Sequence, residues 1–71
     1  MIGDIRRQLA RTPFVPFSIR TSDGHEYSVP TVDHIWLPPG GNRVLVSDDK
    51  GIVAILTPFH ISSVIQQPNG A

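Results

Sequence analysis

The fold is decided by one stretch: Pro13-Phe14-Val15-Pro16-Phe17-Ser18-Ile19-Arg20-Thr21-Ser22-Asp23-Gly24-His25-Glu26-Tyr27-Ser28-Val29. Prolines at 13 and 16 remove two backbone donors and push the preceding residues into extended conformations, so this segment is not helical. Phe14 and Phe17 are placed to anchor it on a core. From Phe17 onward the apolar residues Phe17 and Ile19 alternate with Ser18 and Arg20, the two-residue period of a half-buried strand. Asp23-Gly24 then reads as a tight hairpin turn, because both residues tolerate positive φ. The return strand is Glu26 to Val29, with Tyr27 and Val29 on one face.

Upstream, Ile2, Ile5 and Leu9 share one face at helical spacing, with Asp4, Arg7 and Arg11 opposite. They predict a short amphipathic helix over residues 2–11, stopped by Pro13. Such a helix is marginal alone and must pack on something apolar. Downstream, Val32 to Leu37 is the next extended segment. Pro30 leaves it open whether Glu26–Val29 and Val32–Leu37 form one bent strand or two. Pro38-Pro39-Gly40-Gly41-Asn42 is a turn, and Arg43 to Ser47 is a strand. Asp48-Asp49-Lys50-Gly51 is a second hairpin turn with Gly51 expected at positive φ. Ile52 to Leu56 is the longest apolar run and reads as the central, most buried strand. Thr57-Pro58-Phe59-His60 bends the chain, with a single 3₁₀ turn as one form. Ile61 to Ile65 is a last strand, and residues 67–71 form a polar, flexible tail.

These elements predict one domain over residues 1–66, mainly β. A short N-terminal α-helix precedes a five- to six-stranded antiparallel meander that closes as a small barrel. With 71 residues and no cysteine, neither a large core nor a disulfide framework is available. Charged residues make up 17% of the chain, against about 25% in an ordinary domain. The sparse charge points to surface covered by another copy, so a homo-oligomer is expected. No apolar run approaches the length of a membrane span, and the first residues lack the long apolar segment of a signal peptide. A cytoplasmic location and no membrane partner are the expectations.

The net charge is zero, with six basic and six acidic side chains. The sum conceals a division. Residues 1–20 hold Arg6, Arg7, Arg11 and Arg20 against Asp4, whereas the remainder holds Arg43 and Lys50 against five carboxylates. A local anion-binding face on the helix is therefore compatible with overall neutrality. Catalytic chemistry is thinly represented. His25-Glu26 and Asp33-His34 are sequence neighbours and point to opposite faces on a strand. The three histidines lack metal-ligand spacing, and Ser47-Asp48-Asp49 has ordinary turn composition. No enzyme activity, metal or cofactor is expected. Trp36 reads as a core or subunit contact, and Phe59-His60 as a packed corner.

Helix, extended proline segment, strand, Asp-Gly turn and meander together resemble the Sm-like fold, and within it the Hfq family of bacterial RNA chaperones. The carrying residues are Val15-Pro16-Phe17-Ser18-Ile19, Asp23-Gly24 and Ile61-Ser62-Ser63-Val64-Ile65. Asp33 takes the place of the aspartate in that family's first motif. The resemblance implies a ring of small barrels that binds single-stranded RNA. Here Pro58-Phe59 stands where that family has a Lys-His pair, with His60 one residue later. Arg11 matches one arginine of the family's rim, with Arg6 and Arg7 a turn earlier. The nucleic-acid candidates are therefore Arg6, Arg7, Arg11, Phe59 and His60. The Pro13-Phe14-x-Pro16-Phe17-x-Ile19 pattern with its later hairpin also resembles a family of small uncharacterised bacterial proteins, a likeness that implies no activity.

Two functions follow as expectations. One is a non-catalytic, self-associating Sm-like barrel that binds RNA through an oligomeric ring. The other is a protein-interaction or assembly module that offers an exposed edge strand and has no nucleic-acid role.

Overall fold

A computed structural model describes residues 2–66. Helix α1 (Ile2–Leu9) leads into strands β1 (Phe17–Thr21) and β2 (Glu26–Val29). A 3₁₀ turn (Val32–His34) follows, then β3 (Ile35–Trp36), β4 (Val44–Ser47) and β5 (Val53–Leu56). A second 3₁₀ turn (Pro58–His60) precedes β6 (Ile61–Gln66). The chain is mainly β with one N-terminal helix, as the periodicity predicts. The strands form two separate antiparallel three-stranded sheets, in the orders β2-β1-β6 and β3-β4-β5.

The first hairpin keeps the predicted strands, with a register one residue off the one a two-residue Asp23-Gly24 turn sets. Phe17 faces Val29 and Ile19 faces Tyr27 across β1 and β2. The turn is a residue longer than an Asp-Gly pair requires. Thr21 N–H donates to His25 C=O at 2.9 Å, and Gly24 N–H donates to Thr21 C=O at 3.0 Å. Gly24 alone of the loop residues has positive φ, 91°. This is a type I turn closed by a left-handed residue, the usual form of a three-residue hairpin loop. The β4–β5 turn repeats it. Asp48 N–H donates to Ile52 C=O at 3.0 Å, and Gly51 has φ 87° as expected. The Asp48 carboxylate also accepts from the Lys50 and Ile52 N–H groups.

Strand β6 returns to the free side of β1, so the first sheet is not a simple meander. Thr21 faces Ile61 and Arg20 faces Ser63, which leaves Ser62 as an extra residue at a bulge. The Ser62 hydroxyl donates to the Arg20 carbonyl at 3.1 Å and satisfies it there. Between β2 and β3 the chain breaks at Pro30, and Thr31 caps the 3₁₀ turn by accepting from Asp33 N–H. Glu26–Val29 and Ile35–Trp36 are therefore two strands in two sheets. Among the described residues no ladder joins the two sheets into a closed barrel.

One core holds both sheets and the helix. Ile5 comes from α1; Phe17, Ile19, Val29 and Ile61 from the first sheet; Val44, Val46 and Leu56 from the second. Phe14 packs on this cluster and its ring centroid lies 6.1 Å from that of Phe17, as the proline segment predicts. Strand β5 departs from expectation. It is an edge strand, and of its residues only Leu56 is buried. Ile52, Val53 and Ile55 are more than half exposed. The unbroken apolar run looks like a strand buried on both faces. In the single chain one face meets the core and the other meets solvent. The flexible tail expected at 67–71 lies outside the described residues.

Two changes test this packing. Phe17→Ala removes a fully buried ring and costs about 3–5 kcal/mol. A chain of this size holds only about 4–10 kcal/mol in all, so loss of cooperative melting by circular dichroism is expected. Gly51→Ala meets no neighbouring atom within 4 Å, so its cost is the left-handed backbone alone, about 1–2 kcal/mol. Gly51→Asn should lose less, because asparagine visits that region more readily.

Candidate interaction surface

Helix α1 turns Ile5 fully into the core with Ile2 and Leu9 beside it, which leaves Arg6 and Arg7 outside. Arg7 pairs with Asp4 one turn earlier. Arg11, just past the helix, donates from Nη1 to Gln66 Oε1 at 2.8 Å and ties the helix end to the end of β6. Arg6 has no such partner among the described residues. It stands over a hollow of about 400 Å³ shared with Leu9, Ala10, Ile35, Trp36 and Leu37.

Phe59 and His60 lie elsewhere. They form the second 3₁₀ turn, at the start of β6, whereas Arg11 meets its far end. A strand of that length spans roughly 17 Å, so one chain does not bring the arginines and Phe59-His60 into a single pocket. Nor do these two residues make a packed corner. Phe59 is 96% exposed, because the three-residue turn points it outward while His60 Nδ1 meets Thr57 Oγ1 at 2.6 Å.

His60 borders a hollow of about 290 Å³ with Thr21, Asp23, Tyr27, Ile55 and Thr57. The hydrogen bond from the Thr21 hydroxyl is the main cause that holds the Asp23 carboxyl below the usual aspartate range. A 3.4 Å contact from His25 N–H adds to it. The His25 and Tyr27 rings stack beside it, 6.2 Å apart.

A third arrangement was not anticipated. His34 Nδ1 lies 2.8 Å from Thr31 Oγ1, and His34 Nε2 lies 2.7 Å from Asp49 Oδ1. The order Asp, His, hydroxyl resembles a nucleophilic relay. Its twin shows a simpler role: Thr57 and His60 make the same Thr-x-x-His contact at the other 3₁₀ turn without an acid. In both, the threonine precedes the turn and the histidine closes it, so the pair braces the turn from end to end; only Thr31 also caps it, by accepting from Asp33 N–H. The repeat was legible as Thr31-Val32-Asp33-His34-Ile35 and Thr57-Pro58-Phe59-His60-Ile61. Among the described residues no three His, Cys, Asp or Glu side chains gather as a metal site, and no helix is long and apolar enough to cross a membrane.

The largest exposed features are apolar instead. Trp36 is 58% exposed, Val53 53% and Ile55 65%. Trp36 is therefore outside the core of the single chain. No protein-family model, curated protein or solved structure matches the chain.

The Asp23 contacts carry a pH dependence. A carboxyl whose folded value is depressed stabilises the fold above its unfolded value and loses that effect as pH falls through the folded value. Wild type should melt above Asp23→Asn at about pH 6, with the gap closing as pH falls through and below the ordinary aspartate range. An unchanged gap on acidification would show that the ionised Asp23 carboxylate adds nothing to the hairpin.

Proposed function

We propose that this chain is a non-catalytic, self-associating Sm-like small-barrel module, whose copies join edge to edge into a ring. One observation carries the reading: β5, the outermost strand of its sheet, has no strand paired on its far side among the described residues. Edge strands of stable monomers are usually short, charged, bulged or covered. Charge is absent from β5, while β6, the outermost strand of the other sheet, bears a bulge beside β1 and is polar at Ser62 and Ser63.

The Sm-like reading rests on strand order. If β2 and β3 are taken as two halves of one strand broken at Pro30, the order becomes β6, β1, β2/β3, β4, β5. The two free edges are then β5 and β6. Pairing β5 of one copy with β6 of the next is a head-to-tail contact, and such contacts form rings when the rotation closes. A ring repeats Arg6, Arg7 and Arg11 around its circumference, and this multiplies a weak affinity for phosphate. Single-stranded RNA is the ligand this reading assigns to the assembly, with Phe59 as an exposed stacking surface.

The same open edge favours a second reading, in which a peptide of another protein adds to β5 by β-augmentation. Light scattering behind a sizing column separates the two. The ring reading expects a mass several times 7.8 kDa, and a monomer at high concentration contradicts it. For the ligand, retention of an oligouridine or oligoadenine strand should fall steeply with salt and weaken in Arg6→Ala/Arg7→Ala/Arg11→Ala. Salt-independent or absent retention removes RNA from the account.

A further inference from the structure

The outer face of the second sheet has a composition that edge pairing does not use. Residues paired across strands share a face, and so do residues two apart. Trp36 faces Leu45, and Leu45 faces Ile55. Ser47 faces Val53 one row further on. The opposite face holds Ile35, Val44, Val46, Ala54 and Leu56, which are the residues on or against the core. The pairing places Trp36, Leu45, Ser47 and Val53 on one side, and they line a hollow of about 200 Å³ with His34 and Ile35. The sheet is thus apolar on both faces, with one face bare.

Charge is sorted along this bare face. Arg43 stands just before β4, on the Leu45 side by alternation, and among the described residues its Nη1 donates to the neighbouring Asn42 carbonyl at 3.0 Å. At the other end of the hairpin are Asp33 and Asp49, with His34 bonded to Asp49 and Lys50 in the turn. Asp48 there is occupied by backbone N–H groups. The face therefore reads cation, apolar row, anion along β4, over roughly 17 Å.

We propose that this face docks on the same face of a second copy, in a two-fold, antiparallel sheet-on-sheet contact. A two-fold operator places the Arg43 end of each copy over the Asp49 end of the other and packs the Trp36–Leu45–Ile55 rows together. Such an interface is self-complementary, and stacked sheets interdigitate at the side-chain spacing of a sandwich core. Edge pairing joins strands side by side, whereas this contact stacks them, so both fit in one assembly and either stands without the other.

The test is the mass of the full chain by light scattering and sedimentation equilibrium, with circular dichroism to show that each variant folds. Trp36→Ser should weaken the two-fold contact about 30-fold or more, as loss of a central aromatic anchor does. Ile55→Thr, which keeps a β-branched side chain, carries the same test if Trp36→Ser fails to fold. Arg43→Glu or Asp49→Lys alone should each weaken association about fivefold, from two symmetry-related exposed pairs. Together they should restore it. A wild-type dimer that becomes monomeric in Trp36→Ser supports the face contact and refutes the ring. A larger wild-type assembly whose mass halves supports both. A folded Trp36→Ser or Ile55→Thr variant of unchanged mass overturns the face contact, as does a double charge exchange that restores nothing. A monomeric wild type overturns both readings.

Discussion

Everything in this chain depends on one small core that must be shared. Among the described residues eight buried apolar side chains, from a helix and two three-stranded sheets, form this core, with half-buried neighbours such as Phe14 and Ile35 packed around it. Hydrophobic burial scales with area, and a domain of this size buries only about 60% of its unfolded surface. The first sheet and the helix dock on the inner side of the second sheet. Among the described residues no element covers its outer side, and Trp36, Val53 and Ile55 are more than half exposed. This exposed surface links the fold to the function proposed for it.

The local devices are spent on making that core possible. Both hairpins use the same three-residue loop, each closed by a glycine at positive φ and braced by an aspartate. Both 3₁₀ turns use the same Thr-x-x-His contact. The polar side chains most suggestive of chemistry, His34, His60, Asp23 and Asp48, are thereby occupied in turning the chain. What remains uncommitted is apolar face and edge, with Arg43 at one end of the face. That allocation favours a role in assembly over one in covalent chemistry.

Much of this was legible in the residue order. The helix, its core face, the Phe17–Ile19 strand, both hairpins and the 3₁₀ bend follow from periodicity and turn chemistry, which act over a few residues. Sheet partnership does not. Whether Pro30 bends one strand or separates two is decided by where Ile35 and Trp36 find partners, and those lie on β4. The run Ile52 to Leu56 misleads for a related reason. Continuous apolar sequence records that both faces are suited to burial, without saying whether the cover comes from the same chain. The candidate Arg6, Arg7, Arg11, Phe59 and His60 cluster divides because β6 separates its two ends, a distance no local pattern encodes.

The central claim is that β5 is covered in the working protein although it is bare in one chain. Amide hydrogen exchange at Val53 and Ile55, whose N–H groups face the open edge by alternation from the Asp48–Ile52 hydrogen bond, tests it most directly when followed across a dilution series. The account predicts slow exchange at high concentration that becomes fast on dilution, while the Phe17 and Ile19 amides stay slow throughout. Fast exchange of β5 at every concentration would contradict it.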